Sequence, residues 1–179
     1  KVLDVIDEVK EYPIKDDVDL ADVAEYDIES AQGLYSGFHE LDDYIYKFFM
    51  GTLCIVTGVN SSGKSVLLNQ MCICEPLNQG FDSFIFSGEL SHPQLKNWIE
   101  LVMAGTENIK VKDQHIRQID KECLEGLRQW YRGRIWVYDN DIDYSAEAIL
   151  GKMEELARKK GVKVFTIDNL MTVDLKCGQ

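Results

Sequence analysis

Residues 58–65 read GVNSSGKS, behind the apolar run TLCIV and ahead of a stretch with helical spacing. The octet fits G-x-x-x-x-G-K-[ST] in full, at Gly58, Gly63, Lys64 and Ser65. Each position has a reason in phosphate chemistry. The two glycines permit a tight turn that brings the backbone N–H groups of Gly58, Val59, Asn60, Ser61, Ser62 and Gly63 round an anion. A helix opening near Lys64 adds the free N–H groups of its first turn, those of Ser65 and Val66 included, and a positive partial charge. Lys64 is expected to reach the β- and γ-phosphates, and Ser65 to ligate Mg²⁺. The plain alternative is a Gly/Ser-rich turn that matches by chance; a strand before and a helix after argue against it. The pattern thus predicts bound Mg²⁺–NTP, ATP or another, and leaves the reaction open.

Outward from the loop, apolar runs alternate with helical patterns. TLCIVTG (52–58) reads as a buried strand ended by glycine. Residues 64–79 read as a helix with Val66, Leu67, Met71 and Cys74 at helical spacing, stopped by Gly80. DSFIFSG (82–88) is a second strand, and Ser91 caps a helix with Pro93 in its first turn that runs to Ala104. Residues 105–120 read as polar loop, 120–132 as helix, and RIWVYD (134–139) as a third strand. Ser145 caps a helix to Lys160 that turns Ile149, Met153 and Leu156 inward; Gly161 ends it, and VKVFTIDN (162–169) is a fourth strand. This order predicts an α/β fold with a mainly parallel sheet and flanking helices. Sheets of this kind usually continue past such a strand, so a piece of a longer protein is expected, its sheet incomplete at the C-terminal side.

Charge divides the chain. Residues 1–50 hold 4 Lys+Arg against 14 Asp+Glu, and residues 51–179 hold 15 against 17. The expected domains are therefore an acidic linker or arm over 1–32 and a nucleotide-binding domain over 33–179. Within the arm, Val2, Val5, Ile6 and Val9 could share one face of a short helix. A net charge of −12 argues against this piece alone being a strong nucleic-acid binder. No stretch reaches the roughly 20 apolar residues of a membrane helix, and the N-terminus has no apolar signal region. No membrane partner is expected. Five cysteines without a CxxC pair read as free thiols of a reducing compartment. His39, His92 and His115 lack metal-ligand spacing. Phe81, Phe84, Phe86, Trp98, Trp130, Trp136 and Phe165 are assigned to packing rather than base stacking.

Three acids compete for the chemistry. Asp168 ends an apolar strand, where a carboxylate can hold the Mg²⁺ shell opposite Ser65; Asp139 ends RIWVYD similarly. The more regular run before Asp168 favours it. Glu89 follows FIFSG, where it can orient a water as general base, or simply sit near a helix N-terminus.

Taken together, SGFHELD, CIVTGVNSSGKS, FIFSGELS and VFTIDNL resemble the RecA-like motor domain of hexameric replicative DNA helicases. The likeness is to the bacterial DnaB type and, more closely, to phage primase-helicases and the mitochondrial Twinkle helicase, over about residues 33–175. The resemblance implies that Lys64 and Ser65 are the phosphate-loop pair, Glu89 the residue that activates water, and Asp168 the Asp of the second nucleotide motif. Asn169 departs from the Tyr or His that often follows that Asp. The resemblance further implies NTP-driven unwinding, a homo-oligomeric, six-membered ring, single-stranded DNA as partner, and residues 1–32 reaching an adjacent subunit. A bacterial or phage-infected cytoplasm is the expected setting, and mitochondria are also compatible. The DNA-binding loops and the arginine finger would lie beyond Gln179. Other readings of the same loop are a RecA/RadA-type recombinase or KaiC-like ATPase without unwinding, a small-molecule kinase, and a ring-assembly module without catalysis.

Overall fold

The stretch DSFIFSG forms the middle of the sheet. In the computed structural model, which describes residues 18–114, 116–139 and 143–174, strand β3 (Ser83–Ser87) is buried at all five positions. Its neighbours are β6 (Ile135–Val137) and β7 (Val164–Asp168), both parallel to it, in the order β6-β3-β7. The fold is α/β, with a parallel sheet and helices on its faces.

Alternation along β3 explains its complete burial, since successive side chains face opposite ways. Phe84 and Phe86 point to one face, where they join Tyr138, Ile149, Leu156, Val162 and Val173. Ile85 points to the other, where it joins Ile73, Leu77, Leu95 and Ile99. A strand covered on both sides needs apolar residues at every position, and FIF supplies them.

The first face is covered by helix α6 (Ala146–Lys160). Ser145 caps it by accepting from Ala148 N at 3.3 Å, and Gly161 ends it at φ 73°, a left-handed conformation that suits glycine. The second face is covered by α4 (His92–Ala104) and by the helix that follows the glycine-rich loop. That helix runs as α2 (Lys64–Asn69), a π-helical segment (Gln70–Cys74) and α3 (Glu75–Asn78). The wider turn shifts the phase of the buried stripe. Met71, Ile73, Cys74 and Leu77 are buried, while Val66, expected on the same face, is 43% exposed.

Two ion pairs tie these elements. Arg134 Nε donates to Asp82 at 3.1 Å, and its Nη2 donates to the Leu77 carbonyl at 3.0 Å. This joins the starts of β6 and β3 to the C-terminus of α3, where a cation is favoured. Helix α5 (Lys121–Trp130) is held to α4 through Arg128, which grips Glu100 at 2.8 and 3.1 Å, while Tyr131 Oη donates to Glu100 at 2.6 Å.

Several expectations need correction. TLCIVTG is not a strand: residues 52–58 carry no ladder, and Leu53 and Ile55 are 87% and 71% exposed. An apolar run becomes a parallel strand only with neighbours to bond and faces to cover it, and the described residues supply it with neither. Residues 105–120 are not simple loop. They hold a 3₁₀ turn (Thr106–Asn108) and an antiparallel hairpin of β4 (Ile109–Asp113) and β5 (Ile116–Ile119). The alternation Ile109-Lys110-Val111-Lys112 is the two-residue period of a strand, though Val111 is itself exposed and only Ile109 is half-buried. Among the aromatics, Phe84 and Phe86 are fully buried, but Trp98 and Trp130 are 45% and 42% exposed.

Near the domain's start, α1 (His39–Ile45) lies between β1 (Gly33–Leu34) and β2 (Phe48–Phe49), which pair antiparallel. Residues 1–31 form a unit separate from 32–179. Its described part has a 3₁₀ turn (Leu20–Asp22) capped by Asp19 and a turn in which Asp27 accepts from Glu29 N at 3.0 Å. The helix expected around Val2–Val9 lies outside the described residues.

Candidate functional site

The glycine-rich loop is a turn closed by its own groups. Ser62 N donates to the Val59 carbonyl at 3.3 Å, Ser61 adopts φ 61°, and Gly63 caps α2 at φ 88°. Only glycine takes that last conformation without strain. An added Cβ on Gly58 would lie 3.0 Å from Ser62 Oγ, so this position is also tight. Lys64 Nζ donates to the carbonyls of Gly58 and Val59 at 3.1 and 2.9 Å. The lysine folds back across the loop, and its ammonium is held by the oxygens of the same turn. Val59, Asn60, Ser61 and Ser62 are exposed, Ser65 is half-buried, and Val66 is exposed.

The direction of the following helix places the loop. Its C-terminal end is bonded to the starts of β3 and β6: Phe81 N donates to Pro76 O at 2.8 Å, and Arg134 reaches Leu77 O. A helix that packs along the sheet from that end carries its N-terminus, with Lys64 and Ser65, toward the strands' carboxyl ends. That is where ligands bind in open α/β sheets.

The acids gather at the same end. Register sets Ser87 of β3 opposite Asp168 of β7, and Gly88 N donates to the Asp168 carbonyl at 2.9 Å. Glu89 is the next residue after Gly88. On the other side of β3, Tyr138 N donates to Ile85 O at 2.9 Å, which carries Asp139 to that end too. Glu89 therefore leaves the central strand between the strands that lead to Asp139 and Asp168.

Asn169, reached through a cis Asp168–Asn169 peptide, links the outgoing strands. Its Nδ2 donates to Glu89 Oε1, and its Oδ1 accepts from Met171 N at 2.6 Å. The structure thus brings Glu89, Asp168 and Asn169 together. The hydrogen bonds of Lys64 stay within its own loop. Sequence reasoning treated Asn169 only as a departure from a pattern and missed its contact with Glu89. It also missed Gly88, where an added Cβ would lie 1.8 Å from Thr172 Oγ1. The dipeptide Gly-Glu after an apolar strand was the available signal.

The hard oxygens of Ser65 and Asp168 suit Mg²⁺, which keeps several waters and takes one or two protein ligands beside phosphate oxygens. Among the described residues there is no cluster of three or more His, Cys, Asp or Glu that would hold a metal by itself. Away from these residues, a concavity of about 340 Å³ lies between α4 and β6, lined by His92, Lys96, Ile99, Glu100, Tyr131, Ile135 and Val137. His92 Nε2 donates to the Tyr138 carbonyl at 2.8 Å, which ties the start of α4 to the end of β6. Burial raises the pKa of Glu100, but hydrogen bonds from Arg128 and Tyr131 outweigh it and hold the carboxyl below its ordinary value.

A parallel α/β sheet with a glycine-rich loop and strand-end acids defines the broad class: a domain built to take a ligand at its carboxyl edge. A family model, DnaB-like helicase C terminal domain, matches residues 33–178. The chain belongs to that family, the RecA-like ATPase domain of replicative helicases. No curated protein matches the sequence. Among the described residues no helix is long and apolar enough to cross a membrane.

Proposed function

We propose that residues 33–179 are the nucleotide-binding part of a replicative DNA helicase, with Mg²⁺–NTP held at residues 58–66. The observation that carries the reading is that Glu89 and Asp168 stand at the ends of two paired strands, joined by the bond from Gly88 N to the Asp168 carbonyl, with the Glu89 carboxylate held by Asn169. In this reading Lys64 exchanges the carbonyls of Gly58 and Val59 for the β- and γ-phosphates. The N–H groups of the loop and of the first helical turn, through Val66, take the remaining phosphate oxygens. Ser65 and Asp168 would hold Mg²⁺, which neutralises charge on the phosphates. Glu89 accepts the proton of the attacking water.

Family membership supports a hexameric ring of identical chains and single-stranded DNA as the bound strand; the acidic composition of residues 1–32 supports a linker there. The full-length protein tests it. NTP hydrolysis is expected to be strongly stimulated by single-stranded DNA and abolished by Lys64→Ala and by Glu89→Gln. Only Lys64→Ala is expected to lose most of the nucleotide affinity. Hydrolysis indifferent to DNA would sink the helicase assignment, and normal turnover in Glu89→Gln would sink the role given to that residue.

A further inference from the structure

We propose that Asn169 is a positioning residue, which fixes the Glu89 carboxylate in place for its work on water; this rests on the role proposed above for Glu89. The amide's orientation is set by its other end. Asn169 Oδ1 accepts from Met171 N at 2.6 Å, so the oxygen is committed to the turn and the NH₂ group faces away from it. That NH₂ group donates to Glu89 Oε1.

The backbone around the pair is tied in three places. Thr172 Oγ1 donates to the Asn169 carbonyl at 2.7 Å and closes the 3₁₀ turn Leu170–Thr172. The same threonine sits so close to Gly88 that no side chain fits there. Gly88 N donates to the Asp168 carbonyl. The residue before Glu89 and the residue before Asn169 are thus bonded to each other. Glu89 itself is exposed. An exposed glutamate samples many rotamers, and a donor fixed on a bonded backbone selects among them. Being neutral, the amide does this without adding another negative charge beside Asp168.

Two substitutions in the full-length protein separate this role from a structural one. Asn169→Asp keeps an oxygen for Met171 N, and Asp is as good a cap as Asn, but it removes the donor to Glu89. Asn169→Ala removes both contacts. Both variants are expected to lower single-turnover hydrolysis of saturating Mg²⁺–ATP by about 10- to 100-fold. Affinity for a fluorescent ATP analogue should stay native in Asn169→Ala, which adds no charge; Asn169→Asp also sets a second carboxylate against Glu89 and beside Asp168, so only its turnover at saturating nucleotide is read. Native turnover in Asn169→Asp would overturn the proposal, because capping would then be the residue's whole role. So would a loss of nucleotide affinity in Asn169→Ala, or a faster rate in either variant. Glu89→Gln, run alongside, tells the failures apart. If it hydrolyses normally, the role of Glu89 falls and the positioning with it. If it is inactive while Asn169→Asp is native, only the positioning falls.

Discussion

FIFSG and CIVTG look alike in sequence, yet they end in opposite states. Residues 84–86 are fully buried between two parallel neighbours, while Leu53 and Ile55 stand 87% and 71% exposed without a ladder. Apolar composition sets what a strand could bury; neighbours decide whether it does. The run before the glycine-rich loop differs from β3 in what surrounds it, not in its own chemistry. The largest expected effect breaks the comparison at its buried side. Phe86→Ala removes a fully buried ring from the cluster with Tyr138 and Ile149, and should cost about 3–5 kcal/mol in urea unfolding. A loss below 1 kcal/mol would mean that β3 is not the packed centre.

The second effect sharpens the comparison at the exit of β3. Gly88→Ala puts a Cβ 1.8 Å from Thr172 Oγ1, so the Leu170–Thr172 turn must shift. A destabilisation of about 1–3 kcal/mol is expected in the same assay. Gly51→Ala is the control. That glycine precedes an apolar run and has φ 82°, but an added Cβ meets nothing within 4 Å. Its strain is conformational only, about 1 kcal/mol.

A third test uses pH on the clamp between α4 and α5. Glu100 is 4% exposed and is held below its ordinary value of 4.5 by Arg128 and Tyr131. A carboxyl depressed by folding stabilises the fold above its unfolded value and loses that contribution as pH falls through its folded value. Glu100→Gln should therefore cost about 1–2 kcal/mol at pH 7, and the gap from native should narrow below pH 4.5. A gap that widens in acid would contradict the assigned shift. The Tyr131 hydroxyl, pushed up to about 12 by burial and by Glu100, stays a donor throughout.

Legibility followed the range of the forces. Helix α6 was readable end to end because Ser145 and Gly161 act on adjacent backbone. The strands β3, β6 and β7 were readable because their runs stop at Gly88, Asp139 and Asp168. The hairpin 109–119 was missed because its alternation is short and lies in a polar stretch that stays largely exposed. The π-helical shift at Gln70–Cys74 carries no residue signature, so the buried stripe was phased wrongly at Val66. Of the candidate site, the loop and its acids could be named from local pattern. The contact between Glu89 and Asn169 spans 80 positions and exists only through the pairing of β3 with β7.

The smallest expected effect is the most informative about the loop. Leu53→Ser changes a side chain with little contact to lose, so its stability should stay within about 0.5 kcal/mol of native. Amide exchange should agree: residues 84–86 protected to near the global unfolding limit, residues 53–56 exchanging early. The chemistry of Cys54 gives the same answer from the side chain. It is exposed and should react with iodoacetamide in the native protein. Buried Cys74, its thiol pushed up to about 12 by burial, should react only on unfolding. Should Leu53→Ser cost 2 kcal/mol and Cys54 resist alkylation, residues 52–58 would be a packed strand in solution. The edge of β7 that is unpaired among the described residues would then be the neighbour to probe, and the glycine-rich loop would stand on a sheet rather than on an exposed run.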